Sequence, residues 1–255
     1  MSFKKNIEKK SDRGYTYYDG EKDKEHIISE FKKPLKKKYE MDKFLEKIIT
    51  PYIKSNDFEI LDSCCGIGQI SHYLSQINNN LRITGIDQTP FLINEAKKLW
   101  NNKNIKFEVS DVYDFVKKNR KKFDITINWK TLSWIPYYDQ MIKSLIQLTG
   151  KHIFLSSLFY EGDIDFEIKV REYKTEIGKD KFNYYFNVYS LPKFKDFVFS
   201  CGAKDIEVFD FVINIDMAKP PINQIGTYTE RLEDGRRLQI SGNIIQSWKI
   251  IRIDL

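Results

Sequence analysis

Short apolar runs alternate along this chain with segments whose apolar residues recur at helical spacing. Runs of about five apolar residues are typical of buried strands, and apolar residues at i, i+3 and i+4 are typical of helices packed on a sheet. The predicted strands are 58–62, 82–86, 105–109, 123–128 and 151–157, and the helices predicted between them are 67–77, 90–101, 112–119 and 137–148. Strands separated by helices predict an α/β fold with a doubly wound, mostly parallel sheet that binds ligands at the carboxyl ends of its strands.

Two helices are predicted before this alternation, over 21–33 and 38–54. Pro34 separates them, because proline cannot continue the first helix. The apolar stripe of the second helix consists of Met41, Phe44, Leu45, Ile48 and Ile49. We therefore predict an N-terminal arm and helical cap over 1–54, followed by one α/β domain over 55–255.

The regular alternation ends after residue 158. The elements predicted beyond it are two strands of a hairpin over 165–173 and 181–189, a helix over 191–201, a strand over 205–215, a second hairpin over 225–240 and a closing strand over 246–253. The second hairpin is indicated by Asp234–Gly235, a dipeptide that is favoured in tight turns between strands.

The glycine turn at 66–68 joins the first predicted strand to its helix in the sequence Phe-Glu-Ile-Leu-Asp-Ser-Cys-Cys-Gly-Ile-Gly-Gln. It places backbone N–H groups and a helix N-terminus beside any ligand, with no side chains in the way. Asp87 ends the next strand about 20 positions later, where parallel α/β sheets hold the hydroxyls of a ribose. Because Ser71 occupies the third glycine position of the dinucleotide pattern, the turn predicts a different nucleoside-bearing cofactor.

Residues 61–68 resemble the first motif of the class I S-adenosylmethionine-dependent methyltransferases, commonly an acidic residue followed by G-x-G-x-G, with Cys64 in place of the first glycine. Residues 85–87, 104–111 and 122–129 resemble the second, third and fourth motifs in the family's order. The resemblance covers about residues 58–158. It implies a Rossmann-like, seven-stranded sheet with an N-terminal helical cap and β-hairpin insertions, and S-adenosylmethionine as the cofactor.

The resemblance also implies which residues hold the cofactor. Asp87, in the second motif, takes the ribose hydroxyls, and Asp111, in the third, contacts the adenine amino group. The cofactor-binding residues carried over are Tyr15, Asp62, Cys64, Gly66, Gly68, Asp87, Gln88, Asp111, Val112 and Asn128.

The methyl group of a sulfonium is already electrophilic, so the protein needs a base only where the acceptor must lose a proton. The residues predicted for catalysis are His26, in the helical cap, Glu161, just past the fifth strand, and Asn128, at the end of the fourth strand. His72 and His152 are predicted to be structural. The residues predicted to bind the acceptor are Tyr18, Trp129, Asp163, Arg231 and Arg237.

Insertions near 159–190 and 216–243 are expected to form the walls of the acceptor pocket. The tail from Gly226 to Trp248 resembles methyltransferases of bacterial surface-polysaccharide (capsule or O-antigen) biosynthesis. This resemblance implies O-methylation of a small polar acceptor, such as a nucleotide-activated sugar or another capsule precursor. Arg231 and Arg237 would pair with its phosphates, although hairpin arginines are equally often merely exposed.

Two other classes of function stay open. One is an RNA or protein methyltransferase, and the other is a non-catalytic module that only binds the cofactor. No N-P-P-[YF] sequence, the signature of many amino-group methylators, follows the fourth strand. The formal net charge is +6, but acidic residues are interspersed with the basic ones, so the pattern does not favour a nucleic-acid partner.

Composition sets the remaining bounds. The chain has 255 residues, of which 41% are hydrophobic, enough for a sizeable core. No segment approaches the roughly 20 apolar residues of a membrane span, and the first residues lack a signal-peptide core. Three cysteines without a disulfide framework fit a reducing compartment, so we expect a cytoplasmic protein. No Cys/His spacing indicates a metal site, and the oligomeric state stays open.

Overall fold

The computed structural model describes residues 24–55, 57–170, 184–221 and 226–255. The helices described are α1 (Lys24–Lys36), α2 (Glu40–Ile53), α3 (Gln69–Ile77), α4 (Pro90–Leu99), α5 (Val112–Lys118), α6 (Asp139–Leu148) and α7 (Leu191–Ser200). The strands described are β1 (Glu59–Ser63), β2 (Arg82–Asp87), β3 (Ile105–Val109), β4 (Phe123–Asn128), β5 (Thr149–Tyr160), β6 (Lys169–Val170), β7 (Tyr184–Tyr185), β8 (Val188–Ser190), β9 (Asp205–Asp210), β10 (Thr227–Arg231), β11 (Arg237–Ser241) and β12 (Trp248–Asp254).

The central sheet has the strand order β3-β2-β1-β4-β5-β12-β9. Its first five strands are parallel, and β12 runs antiparallel between β5 and β9. This arrangement confirms the predicted doubly wound, mostly parallel sheet of seven strands. The short strand β8 adds an eighth, because it pairs in parallel with the last three residues of β5.

Helices cover both faces of the sheet. Neighbouring residues of β1 point to opposite faces, so that Ile60 belongs to one buried hydrophobic cluster and Leu61 to another. The first cluster includes apolar residues of α2, α3 and α4, and the second includes those of α5, α6 and α7. Burial on both faces explains why the parallel strands are short, nearly continuous apolar runs.

The carboxyl ends of the parallel strands meet at one edge of the sheet. Ser63 of β1 pairs with Ile86 of β2 on one side and with Asn128 of β4 on the other. The residues that follow these strands therefore lie close together although they are far apart in the sequence. Helix α1 packs beside this edge, where its Ile27 shares a buried cluster with Ile67 and Leu92.

The sequence predicted that Pro34 ends the first helix, but the helix continues past it. Helix α1 continues to Lys36, with Pro34 buried in its last turn. A proline here lacks the N–H that would bond four residues back and crowds that carbonyl, and burial of the Pro34 ring acts against this cost. The Pro34 carbonyl accepts a hydrogen bond from the Tyr73 hydroxyl at 3.1 Å, which ties this turn to α3.

The first predicted hairpin is confirmed in part. Within the predicted strands 165–173 and 181–189, β6 pairs antiparallel with β7 and Phe166 bridges Val188 in the same register, while residues 171–183 lie outside the described part. Beyond this pairing, β8 joins the central sheet through β5. Asn187 breaks the second strand because its backbone N–H donates to the Ser133 carbonyl at 2.8 Å. The predicted hairpin at Asp234–Gly235 is confirmed as β10–β11.

No helix within the described ranges is both long and apolar enough to cross a lipid bilayer.

Strand β9 ends at Asp210, five residues earlier than predicted, and β5 extends three residues further, to Tyr160. This extension carries β5 beyond its pairing with β4 and supplies the edge on which β8 forms.

Candidate functional site

A cleft of about 470 Å³ opens at the carboxyl edge of β1, β2 and β4, beside α1 and α2. The sequence-predicted site residues that line it are Asp62, Cys64, Asp87, Gln88, Asp111, Val112 and Trp129. The fold thus brings most of the predicted cofactor residues to one cavity.

The glycine turn is hydrogen-bonded to Asp87, the last residue of β2. The carboxylate of Asp87 accepts hydrogen bonds from the Gly66 N–H at 3.0 Å and from the Thr89 N–H at 2.8 Å. Gly66 and Gly68 have φ angles of +56° and +74°, and Cys64, at the family's first glycine position, has +58°. These left-handed conformations turn the chain within four residues, at a cost for the non-glycine residue.

Space as well as conformation favours glycine at position 66. A Cβ atom there would lie 2.5 Å from the Phe31 ring of α1, far closer than non-bonded carbons approach. Helix α1 therefore packs directly on the turn, and the turn has no room for a side chain on that side.

Asp62 points from β1 toward the start of α3. It accepts hydrogen bonds from the Ser71 backbone N–H at 3.0 Å and from the Ser71 hydroxyl at 2.6 Å. Burial raises the pKa of Asp62 to about 7, because a charged carboxylate is poorly solvated there and the Ser71 bonds compensate only partly. Ser71, which excluded the dinucleotide pattern, is thus a partner of the first-motif acid.

Asn128 lies at the end of β4 beside the turn. Its Nδ2 donates to the Ser63 hydroxyl at 3.1 Å, and the Ser63 hydroxyl donates to the Ile127 carbonyl at 2.7 Å. The Asn128 Oδ1 is buried and accepts no hydrogen bond. Asn128 is fully buried and does not line the cleft, although it was predicted both to bind the cofactor and to take part in catalysis.

The residues of the third motif line the cleft where β3 ends. Asp111 precedes α5, where its Oδ1 accepts a hydrogen bond from the Tyr113 N–H at 2.6 Å and so caps the helix. Ser110, Asp111 and Val112 line the cavity, and Gln88 lines it from the loop after β2.

A buried carboxylate that the sequence reasoning did not identify, Asp42 of α2, lies at the other end of the cleft. Its Oδ1 accepts from the Trp129 indole N–H at 2.9 Å and from the Lys130 ammonium at 2.8 Å. Its Oδ2 accepts from the Gln69 amide at 2.7 Å. The signal in the sequence was an acid on the buried face of an amphipathic helix, three residues before Leu45.

Several predicted residues lie away from the cleft. His26 is exposed on α1 and does not line the cavity. Glu161 pairs with Lys249 at 2.6 Å, and Asp163 lies 3.6 Å from Lys193. The structure does not bring these side chains to the glycine turn, and their catalytic or acceptor-binding roles stay predictions.

The hairpin arginines also lie apart from the cavity. Arg231 is exposed, and Arg237 donates to Asp216 at 2.8 Å. Tyr15 and Tyr18 fall outside the described residues, so their predicted roles are not addressed.

The two histidines predicted to be structural have packing partners. His72 stacks on Trp100 with ring centroids 3.9 Å apart, and burial together with the nearby Lys38 charge lowers the pKa of His72. His152 lies in the first half of β5, away from the cleft edge, with its Nδ1 2.7 Å from Asp254.

Comparison with known proteins finds a protein family and several relatives that this chain resembles. A family model described as a methyltransferase domain matches residues 54–195. A malonyl-[acyl-carrier protein] O-methyltransferase of Bacillus cereus is 28% identical over 109 residues, which are 42% of this chain and 40% of that protein. The enzyme of the same name from Acetivibrio thermocellus is 29% identical over 89 residues, or 35% of this chain and 31% of that protein. The matches therefore span well under half the length of these curated relatives.

Among solved structures, a Burkholderia thailandensis 1,6-didemethyltoxoflavin-N1-methyltransferase with bound 1,6-didemethyltoxoflavin and S-adenosylhomocysteine aligns with a TM-score of 0.54. The alignment covers 91% of this chain and 86% of that one at 10% identity. At this identity the similarity establishes the shared fold.

Proposed function

The chain belongs to the methyltransferase domain family, and we propose that it transfers the methyl group of S-adenosylmethionine to an oxygen atom of a small polar acceptor. The observation that carries this proposal is the hydrogen bond from the Gly66 N–H of the glycine turn to the Asp87 carboxylate at the edge of the cleft. It supports a nucleoside site in which the turn and the ribose-binding acid act together.

The residues around the cleft suit this cofactor. S-adenosylmethionine has a positive sulfonium, an ammonium group and a carboxylate, so its net charge is positive. Acidic side chains at the turn and at the ends of β2 and β3 favour such a ligand.

When bound, the cofactor supplies an activated methyl group. The protein's own contribution is then to hold the acceptor oxygen in line with that group, which can lower the barrier by several kcal/mol through proximity. Trp129 and Lys130, which follow β4, are placed between the cofactor turn and α2, and we assign them to the acceptor side. Neither His26 nor Glu161 lies in the cleft, so the geometry gives no support to either as a base.

The names of the curated relatives describe O-methylation, which supports oxygen as the methylated atom. They give no support to an activated sugar or capsule precursor, and that finer prediction rests on the tail sequence alone. The roles of Tyr18, Asp163, Arg231 and Arg237 in binding such an acceptor remain proposals of the same kind.

Binding calorimetry tests the cofactor site. We expect Asp87→Ala to weaken the affinity for S-adenosylhomocysteine by about 1–3 kcal/mol, because the ribose partner and the bond to the turn are both lost. Asp57→Ala, which changes an exposed acid on the other side of β1, is the matched control and should bind like the unchanged protein.

Two results would count against the proposal. Absence of any binding of S-adenosylmethionine to the unchanged protein would reject the methyltransferase function. Equal affinity of the Asp87 variant and its control would remove Asp87 from the ribose role. Release of S-adenosylhomocysteine with an acceptor panel separates a catalyst from a module that only binds the cofactor.

A further inference from the structure

Among the residues that the structure describes, one cationic side chain and five acidic ones line the cleft. Within the described residues, the charged side chains that line it are Glu30, Asp42, Asp62, Asp87, Asp111 and Lys130. The acids favour a cationic cofactor, while the cofactor's own carboxylate and an anionic group on a second ligand both have Lys130 as the single cationic partner that the described residues offer there.

Lys130 is held in a fixed and strained position. Its φ angle is +57°, a left-handed conformation that is unfavourable for a residue with a Cβ. The Lys130 backbone N–H donates to the hydroxyl of Ser156 on β5 at 2.8 Å, which holds the turn after β4 in this conformation. Strain that the surrounding structure maintains is common at ligand sites, because it aims a side chain.

The Lys130 ammonium has capacity for another partner. It lies 2.8 Å from Asp42 Oδ1 and 5.0 Å from the centre of the Tyr39 ring, and 32% of the side chain is exposed. An ammonium group has three N–H donors, of which Asp42 takes one. Asp42 in turn accepts from Gln69 and Trp129, so its hydrogen bonding does not depend on Lys130 alone.

The acids of the cleft are already engaged. Asp42, Asp62, Asp87 and Asp111 accept the hydrogen bonds described above, and Glu30 pairs with Lys33 at 2.6 Å. No histidine lines the described part of the cavity. A hydroxyl acceptor would need a base to take its proton, whereas a carboxylate acceptor is deprotonated at neutral pH and needs none.

The walls beyond Lys130 are apolar. Trp134 and Tyr184 line the cleft with their ring centroids 5.0 Å apart, and Ile135 lies beside them. The buried Asn187 amide donates to the Ile135 carbonyl at 3.0 Å and fixes this wall to β8. Such walls suit an apolar or aromatic molecular body, while the charged end of the molecule faces Lys130.

We propose that the acceptor is a small carboxylic acid with an apolar body, whose carboxylate pairs with Lys130 and is converted to a methyl ester. This proposal rests on the methyltransferase function above. One carboxylate oxygen accepts from Lys130, and the other attacks the methyl carbon with its electron pair. The O–CH₃ bond forms as the S–CH₃ bond breaks, the bonding pair stays on sulfur, and no proton moves.

The first experiment compares ligands of one shape and different charge. With S-adenosylhomocysteine present, phenylacetate and hexanoate are titrated into the protein beside phenylacetamide, hexan-1-ol and phenyl phosphate. We expect the acids to bind roughly tenfold to a hundredfold more tightly than the neutral compounds, as for a charge-assisted hydrogen bond. Turnover with S-adenosylmethionine should give a product that releases methanol in mild base, as methyl esters do and methyl ethers do not.

The second experiment separates acceptor binding from charge balance. Lys130→Met should abolish the preference for acids while leaving the affinity for S-adenosylhomocysteine within about twofold. Lys47→Met, on the exposed face of α2, is the matched control. The double variant Lys130→Met/Asp42→Asn removes both charges of the pair. If Lys130 only balances the charge of Asp42, the double variant should recover the preference for acids. If Lys130 binds the acceptor, the preference should stay lost.

Each outcome decides between the two proposals. Acids that bind no better than their neutral analogues, a base-stable methylated product, preference for phenyl phosphate, or recovery in the double variant would each overturn the carboxylate acceptor and leave the methyltransferase function standing. If the unchanged protein does not bind the cofactor, the methyltransferase function itself is rejected.

Discussion

Three carboxylates of the cleft are held by three kinds of donor. Asp42 accepts from side chains, Asp62 accepts from the backbone and hydroxyl of Ser71, and Asp87 accepts from two loop N–H groups. Each acid therefore has a structural partner as well as a position in the lining of the cleft. Burial raises the pKa of Asp62 and of Asp87, and such a shift can be measured at a single residue.

The stability of the protein should reveal the protonated form of Asp62. Its pKa of about 7 exceeds the ordinary value of 3.8, so between these values the folded state holds a proton that the unfolded state releases. The contribution of Asp62 is therefore full below about pH 4 and is lost as the pH rises through 7. We expect Asp62→Asn to remove this decline, which amounts to at most about 1.4 kcal/mol per pH unit.

Urea unfolding between pH 4 and pH 8 makes this measurement. Asn keeps an oxygen for Ser71, so the difference between the two curves isolates the proton from the hydrogen bonds. Burial also raises the pKa of Asp87, but that residue is present in both proteins and cancels in the difference. Parallel curves would show that Asp62 is ionised in the folded state throughout the range.

At the scale of elements, the helical cap and the cofactor turn form one packed unit. Helix α1 places Phe31 on the turn, α2 places Asp42 against the start of α3, and α3 is bonded to β1 through Asp62. Helix packing thus builds this edge of the sheet. Changes in the turn should therefore affect folding stability as well as cofactor affinity.

A methyl group at the turn tests this packing. Gly66→Ala forces a Cβ to within 2.5 Å of the Phe31 ring, in addition to the cost of a positive φ angle. Gly235→Ala is the matched control, because its φ is +84° and no atom lies within 4 Å of the added Cβ. We expect the control to lose about 1–2 kcal/mol of unfolding free energy and Gly66→Ala to lose about 1–3 kcal/mol more.

Chemical denaturation measures both losses. If Phe31 causes the additional loss, Phe31→Leu should return part of it in the Gly66→Ala background and none of it in the control. Equal losses in the two alanine variants would mean that α1 moves aside without cost.

At the scale of the whole molecule, the cleft joins strands and helices from distant parts of the chain. A ligand bound there contacts a site that the unfolded chain lacks, so binding should stabilise the fold by mass action. At roughly 100 times its dissociation constant, S-adenosylhomocysteine should raise the free energy of unfolding by about 2.7 kcal/mol. Thermal unfolding with NAD as the control ligand measures this, and an equal shift from both ligands would point to an unspecific effect.

Sequence reasoning could find the parts of the site that follow local rules. The turn and Asp87 were predictable, because the carboxyl ends of neighbouring parallel strands meet at one edge. The Asp42 cluster was not, because its donors lie 27, 87 and 88 residues away and no local pattern pairs them. Pro34 and the strand around Asn187 were mispredicted for the same reason, since tertiary contacts overrode the local preference.

The position of β12 has a consequence for biosynthesis. Because β12 lies between β5 and β9 and pairs with both, β9 cannot be added to the sheet until residues 248–254 have left the ribosome. The pair His152–Asp254 spans 102 residues, so β5 waits through the translation of that whole stretch with one flank open. A nascent chain stalled before Trp248 therefore presents an apolar, unpaired backbone edge, which is the kind of surface that chaperones cover.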